Sequence, residues 1–401
     1  MKSAVRRMRP RQTLITCPYC FTRVARDRVA FRCAGRAGHG TGCDPRADEV
    51  LGRHRGGAAP SLPPVFSVRR PGRRARCPDC GRETGWRACP ECHSRLPAEY
   101  CTNPGKIVAL VGAKGSGKST YIAVLLHELM NRVGAELDAS LVPCDDRTIE
   151  RYRQDFARPL YGERRLLSAT RPAVTDLRRD PLVYLLTRTV RGRIRSRTES
   201  LTLVLFDTAG EDLRSRDVAE LHLRYLAAAD AVIFLVDPLE LPGARAALSG
   251  TALARSGSLE DDPDSDPVNV IGRVTELLRR RDGGRLRIPV AVALSKIDAL
   301  RPALERQSVL HRARTPLGAL DLDDREAVDE QVRALMDEWQ AGMVDRYLRQ
   351  NYTDHAFFGL SALGAVPEAD AVGAGGIRPY RVEDPLLWLL YRFKMLDGVR
   401  R

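Results

Sequence analysis

Short, almost uninterrupted apolar runs recur through the last three quarters of the chain: KIVALV (106–111), LVYLLT (182–187), LTLVLF (201–206), AVIFLV (231–236), IPVAVAL (288–294) and HAFFGL (355–360). Runs of this kind, bounded by turn residues, mark strands buried on both faces. Between and after them, TYIAVLLHELMNRV, VNVIGRVTELLRR, REAVDEQVRALMDEWQAGMVDRYLRQ and DPLLWLLYRFKML read as helices. In the third, Val328, Val332, Leu335, Trp339, Met343 and Tyr347 recur every three or four positions, which predicts one helix packed on a sheet. The alternation of strand-like and helix-like segments predicts an α/β fold: a doubly wound, mostly parallel sheet of six strands.

This texture assigns an α/β domain to residues 104–401, with insertions at about 240–268 and 299–324. The first insertion ends SGSLEDDPDSDP, acidic and poor in apolar residues, and reads as a surface loop. Residues 140–180 offer little regular pattern. Neither period is visible in the first hundred residues, which are punctuated by cysteines instead. They predict two small modules, 1–52 and 77–100, joined by a flexible Pro/Gly/Arg-rich linker, 53–76.

Charge sharpens that division. Residues 1–106 hold 22 Lys+Arg against 8 Asp+Glu, which equals the whole chain's net +14. A basic segment attracts nucleic acid, anionic lipid or an acidic protein partner, and charge alone does not choose among them. No apolar run approaches the roughly 20 residues of a membrane helix, and the basic N-terminus lacks an apolar signal core, so the expected location is the cytoplasm.

The first chemical motif is GAKGSGKS at 112–119, between a strand and a helix as the phosphate-binding pattern demands. It specifies a P-loop NTPase. Backbone N–H groups of Gly112, Ala113, Lys114, Gly115, Ser116, Gly117, Lys118, Ser119 and Thr120 are expected around the phosphates. Lys118 would reach the outer two, and Ser119 would ligate Mg²⁺. Arg outnumbers Lys 59 to 6, so a lysine retained here and at Lys296 is informative: a compact ammonium suits a tight loop where a planar guanidinium does not.

FDTAGED then closes the run 201–206. Asp207 at a strand end beside the loop can hold Mg²⁺, and the Gly210 N–H can meet a terminal phosphate. The base is chosen by Ser295, Lys296 and Asp298 of SKID. A carboxylate at Asp298 accepts from both donors of a guanine edge, whereas adenine offers no such pair there. Ser361, Ala362 and Leu363, after the last strand, can offer a backbone N–H to the guanine carbonyl.

Eight of the ten cysteines fall into two groups of four in sequence order. Cys77, Cys80, Cys89 and Cys92 read as two CxxC knuckles completing one S₄ shell for Zn²⁺. Cys17, Cys20, Cys33 and Cys43 are expected to hold a second Zn²⁺, with His39 an alternative ligand. Disulfides are disfavoured in a reducing compartment. Cys101 and Cys144 are left over and read as plain thiols.

With these motifs in order, residues 106–401 resemble a GTPase of the translation-factor and Ras-like (TRAFAC) superclass. Cysteine-rich ribbons ahead of such a domain are similar to the bacterial double-GTPases, found in systems thought to serve conflict or defence. The resemblance implies a first-switch threonine meeting Mg²⁺ and the terminal phosphate, here Thr170 or, alternatively, Thr175. Ser295 replaces the usual Asn or Thr. Glu211 stands where many members orient water with Gln; a carboxylate there cannot donate a hydrogen bond to phosphate, so turnover is expected to be slow. Lys114 adds a charge to the loop, aimed at phosphate or at solvent. The expected function is a Mg²⁺-dependent GTP/GDP switch with two zinc ribbons that bind a partner. Two alternatives stand beside it: a turnover-deficient GTP-dependent scaffold, and a zinc-ribbon nucleic-acid-binding protein.

Overall fold

The apolar runs of the last three quarters form strands side by side, as buried, unalternating segments must. The computed structural model describes residues 14–36, 40, 42–69, 71–102, 105–167, 181–191, 196–206, 224–248, 266–279, 284–367, 371–373 and 375–401. The chain divides into two units, Met1–Gly105 and Lys106–Arg401.

The larger unit is built on β1 (Gly105–Gly112), β2 (Ala139–Pro143), β3 (Leu182–Arg191), β4 (Ser196–Phe206), β5 (Ala231–Val236), β6 (Val290–Leu294) and β7 (His355–Gly359). They form one sheet in the order β2-β3-β4-β1-β5-β6-β7. β1, β5, β6 and β7 run parallel, while β3 is antiparallel to both β2 and β4. All six expected strands are present. The seventh, β2, lies at the edge, in a segment that showed no regular pattern: only Leu141 is buried among its five residues, and Pro143 closes it. One buried position is too weak a periodic signal to read.

Every residue of β5 and β6 is buried. Alternate residues, Ile233, Leu235, Ala291, Ala293 and Phe358 among them, share one core with helix α1 (Lys118–Met130) and Trp388 of the C-terminal helix. The intervening residues face the opposite side, so the sheet is covered twice. Each large apolar side chain buried this way stabilises the fold by roughly 1.5–3 kcal/mol.

Helix α2 (Pro267–Arg279) follows β5, and the short α3 (Ile297–Leu300) follows β6. The helix expected over 325–350 is two helices, α4 (Leu322–Glu338) and α5 (Met343–Asn351). Gln340 adopts a left-handed φ of 63°, and the Ala341 N–H reaches back to Met336 O at 2.7 Å. Gly342 follows so close to the Asp337 side chain that a Cβ there would collide with it. The turn takes Met343 out of the predicted stripe, and its side chain is exposed. Helix α6 (Asp384–Arg392) ends the unit. Residues 146–162, within the stretch that showed little pattern, form a helix, Asp146–Arg151, continued by a π-helical segment, Tyr152–Gly162.

The N-terminal unit differs from the expected pair of modules on a linker. Its central strand, Ala30–Arg32, pairs antiparallel with Val65–Phe66 on one side and Arg87–Ala88 on the other. Arg87–Ala88 in turn pairs with Arg95–Leu96. The expected linker therefore supplies a sheet strand, and the two modules share one sheet. Its glycines and prolines serve structure: Gly56 caps helix Glu49–Arg55 at φ 69°, and Pro63 O and Pro64 O accept from the Arg32 guanidinium and the Cys33 N–H.

Candidate functional site

Parallel register sets the geometry of the larger unit. Gly112 lies opposite Leu235, Val236 opposite Leu294, and Leu294 opposite Gly359. The carboxyl ends of β1, β5, β6 and β7 therefore end together, and the segments that leave them share one rim of the sheet. Such a rim is where open α/β sheets bind ligands.

From β1 the chain enters the loop 113–117 and turns into α1 with Gly117 as its left-handed cap, φ 87°, after Gly115 at φ 80°. Gly112 is required for a different reason: a Cβ would lie 2.5 Å from Leu235 O and from Ser116 Oγ. The buried Lys118 ammonium donates to Gly112 O at 2.8 Å and Ala113 O at 2.7 Å, so it curls over the loop it belongs to. Ser119 and Thr120 follow in the first turn of α1, half-buried. Ser116 is buried, whereas Lys114 and Gly115 are exposed.

From β6 the chain passes through Ser295, whose N–H and Oγ both bond Val236 O, to Lys296 in a left-handed conformation. The Lys296 ammonium meets Asp237 Oδ2 at 2.5 Å. Asp298 is half-buried in α3. The Ile297 N–H donates to Leu360 O, which ties this segment to the one leaving β7. There Ser361 is buried, and its Oγ accepts from the Gly364 N–H at 2.8 Å. Ala362 and Leu363 pack against the core. The structure thus brings residues 112–120, 295–298 and 361–363 to one rim. Asp207, Gly210, Glu211, Thr170 and Thr175 lie outside the described residues. β4, which ends at Phe206, is the neighbour of β1 in the sheet.

Two acidic residues here were missed in the sequence. Asp237 directly follows β5, and Glu240 closes the next turn and lines a small pocket with Gly112 and Ala113. Burial, and then the Asp237 carboxylate, push Glu240 up to about 7. The only available signal was an Asp at a strand end, which is common in solvated turns.

The cysteines regroup. Cys17 and Cys20 meet Cys89 and Cys92, while Cys33 and Cys43 meet Cys77 and Cys80. The sequence-order grouping into 17/20/33/43 and 77/80/89/92 is therefore overturned: each cluster takes one pair from each half. The shared sheet is the cause, because pairing Ala30–Arg32 with Arg87–Ala88 carries the knuckles across each other. Between the pairs the sulfurs stand 3.6–3.8 Å apart. A tetrahedral Zn–S₄ shell with bonds of about 2.3 Å has edges of about 3.8 Å, so the donor set fits Zn²⁺, and a disulfide at about 2.05 Å does not match. Three knuckles repeat one local geometry, with N–H bonds from Phe21 to Cys17 O, Gly81 to Cys77 O and His93 to Cys89 O, each donor at positive φ. The Arg82 N–H lowers the Cys80 thiol, whereas burial raises those of Cys43 and Cys77 in the same cluster. His39 lies outside the described residues. No helix among those described is long and apolar enough to cross a membrane.

Comparison with known proteins adds the following. The sequence model of the Double-GTPase 2 family matches residues 106–365. A relative 29% identical over 405 residues, 95% of this chain and 99% of its own, is named "Putative ESX-1 scaffolding and assembly protein SaeC" in Mycolicibacterium smegmatis. Among solved structures, the S. cerevisiae Ski7 GTPase-like domain bound to GTP aligns at TM-score 0.30 and 13% identity, over 73% of this chain and 51% of that one. A bacterial selenocysteine-specific elongation factor, EF-Sec, aligns at 0.26 and 12%, over 73% of this chain and 28% of its own. The chain spans about half, or less, of those solved chains.

Proposed function

We propose, starting from the fact that this chain belongs to the Double-GTPase 2 family, that its GTP-binding domain is a Mg²⁺-dependent, slowly hydrolysing switch. Through its zinc-holding N-terminal unit the switch acts on the assembly of a protein complex. The observation that carries this reading is the common rim: one strand register gathers the phosphate loop, SKID and the SAL segment. A guanine nucleotide bridges these three, with phosphates at one end and base at the other.

In that role Lys118 and the loop N–H groups stabilise charge on the outer phosphates. Ser119, Thr170 and Asp207 would hold Mg²⁺, which neutralises phosphate charge when bound. The Gly210 N–H senses the terminal phosphate, and Asp298 selects guanine. The assembly role is supported by the scaffolding name of the relative that matches nearly end to end and by the basic N-terminal unit, suited to an acidic protein surface.

Single-turnover release of phosphate from γ-labelled GTP tests the switch. Slow release that requires Mg²⁺ and vanishes in Lys118→Ala is expected. Tight GTP binding with no release would instead select a GTP-dependent scaffold, the reading that Glu211 and the relative's name favour.

A further inference from the structure

Residues 366–401 lie beyond the part matched by the family model, yet one stretch of them is bonded to the segment that faces the base. The Ser361 N–H donates to Tyr380 O at 2.9 Å, the Tyr380 N–H returns to Ser361 O at 2.8 Å, and the Arg378 N–H reaches Leu363 O at 2.9 Å. Gly364 passes so close to Arg378 O that a Cβ would overlap it, and its φ of 82° demands glycine independently. Residues 361–364 are thus held at two positions, Ser361 and Leu363, by a short strand-like strap, 378–380.

The strap is itself fixed. Tyr380 Oη donates to Arg312 O, and Arg381, fully buried and at φ 50°, spans Asp324 at 2.7 and 2.9 Å and Asp384 at 2.8 Å. The Arg301 guanidinium stacks 4.1 Å over the Tyr380 ring. Arg301 directly follows α3, which carries Asp298. One aromatic ring therefore connects the element expected to read the guanine N–H edge with the segment expected to read its carbonyl.

The bonding also narrows the donors. The Ser361 N–H is taken by Tyr380 and the Gly364 N–H by Ser361 Oγ. The Ala362 and Leu363 N–H groups have no partner among the described residues, so they are the ones that can meet a base oxygen.

We infer that Arg301 and Tyr380 are specificity-positioning residues: the strap 378–380, clamped by the Arg301–Tyr380 stack, holds the Ala362 and Leu363 N–H groups toward the guanine 6-carbonyl. The inference rests on the guanine reading proposed above. A donor set held rigidly discriminates more sharply than a mobile one, because the acceptor it meets need not order it.

The test uses the full-length chain, wild type, Arg301→Ala and Tyr380→Pro, the last removing the N–H that bonds Ser361 O. Dissociation constants are measured for GTP, 6-thio-GTP, whose sulfur is a poor acceptor at the 6-position, and ITP, which lacks the 2-amino group read by Asp298. The expected result is that preference for GTP over 6-thio-GTP falls about tenfold in the variants, the equivalent of one hydrogen bond. Preference for GTP over ITP stays unchanged. Should Tyr380→Pro not fold, Arg301→Ala decides. Equal loss of both preferences would mean a general structural role, and no change in either would mean no role; both outcomes overturn the inference. A wild type that binds ATP as well as GTP overturns the guanine reading itself, and the inference with it.

Discussion

At Lys296 the backbone is left-handed, φ 51°, and the ammonium reaches Asp237, whose side chain is 1% exposed. A buried carboxylate is tolerated when paired, and the lysine of SKID supplies the partner that Asp237 needs. Glu240, three residues on, has no such lysine within hydrogen-bonding distance among the described contacts and is pushed up to about 7 by burial first and by Asp237 second. A carboxyl raised in the folded state stabilises it fully below the ordinary carboxylate range and loses that contribution as pH rises through about 7. Thermal unfolding of wild type against Glu240→Gln checks this: between pH 5 and 8.5 the wild type should lose roughly 2 °C or more relative to the variant. A pH-independent gap between the two would show that Glu240 ionises freely. Nucleotide affinity should follow the same trend, because the ionised Glu240 stands beside Gly112 and Ala113.

At the scale of elements, the crossed cysteine pairs make a prediction that the sequence-order grouping contradicts. In the full chain, Cys17→Ser with Cys89→Ser damages one cluster and should leave about one Zn²⁺ per chain, whereas Cys17→Ser with Cys77→Ser damages both and should leave none. Metal analysis of the purified double variants distinguishes the two pairings, since sequence-order grouping would have 17/89 and 17/77 behave alike. What could be read in advance follows from where the information resides. Six sheet strands were legible because a doubly covered sheet leaves long apolar runs, and the phosphate loop because its glycines answer local backbone demands at Gly112, Gly115 and Gly117. Cysteine spacing identified the ligands but not their partners, because partnership is decided by the pairing of Ala30–Arg32 with strands 35 and 57 residues further along the chain. The break at Gln340 was hidden for a related reason: the apolar spacing continues across it, and the left-handed Gln340 and the tight contact of Gly342 with Asp337 that mark it leave no trace in that spacing. The strap at 378–380 has no periodic signature at all, since its tie to residues 361–364 is made by main-chain bonds.

Across the whole molecule, a unit that carries nearly all of the net positive charge, 21 Lys+Arg against 8 Asp+Glu, precedes one whose charges nearly balance. The division suits a switch whose nucleotide state is set in the larger unit and whose attraction for an acidic protein surface resides in the smaller. That account depends on the larger unit choosing guanine. The most direct measurement is a titration of the purified chain with labelled GTP and Mg²⁺, competed by GDP and by ATP, in wild type and Asp298→Ala. The account predicts displacement by GDP and not by ATP, with the variant losing roughly 1.5–3 kcal/mol, about 10- to 150-fold, of its affinity for guanine nucleotides. Equal displacement by ATP, with Asp298→Ala binding as the wild type does, would contradict it and make this an ATP-dependent P-loop protein.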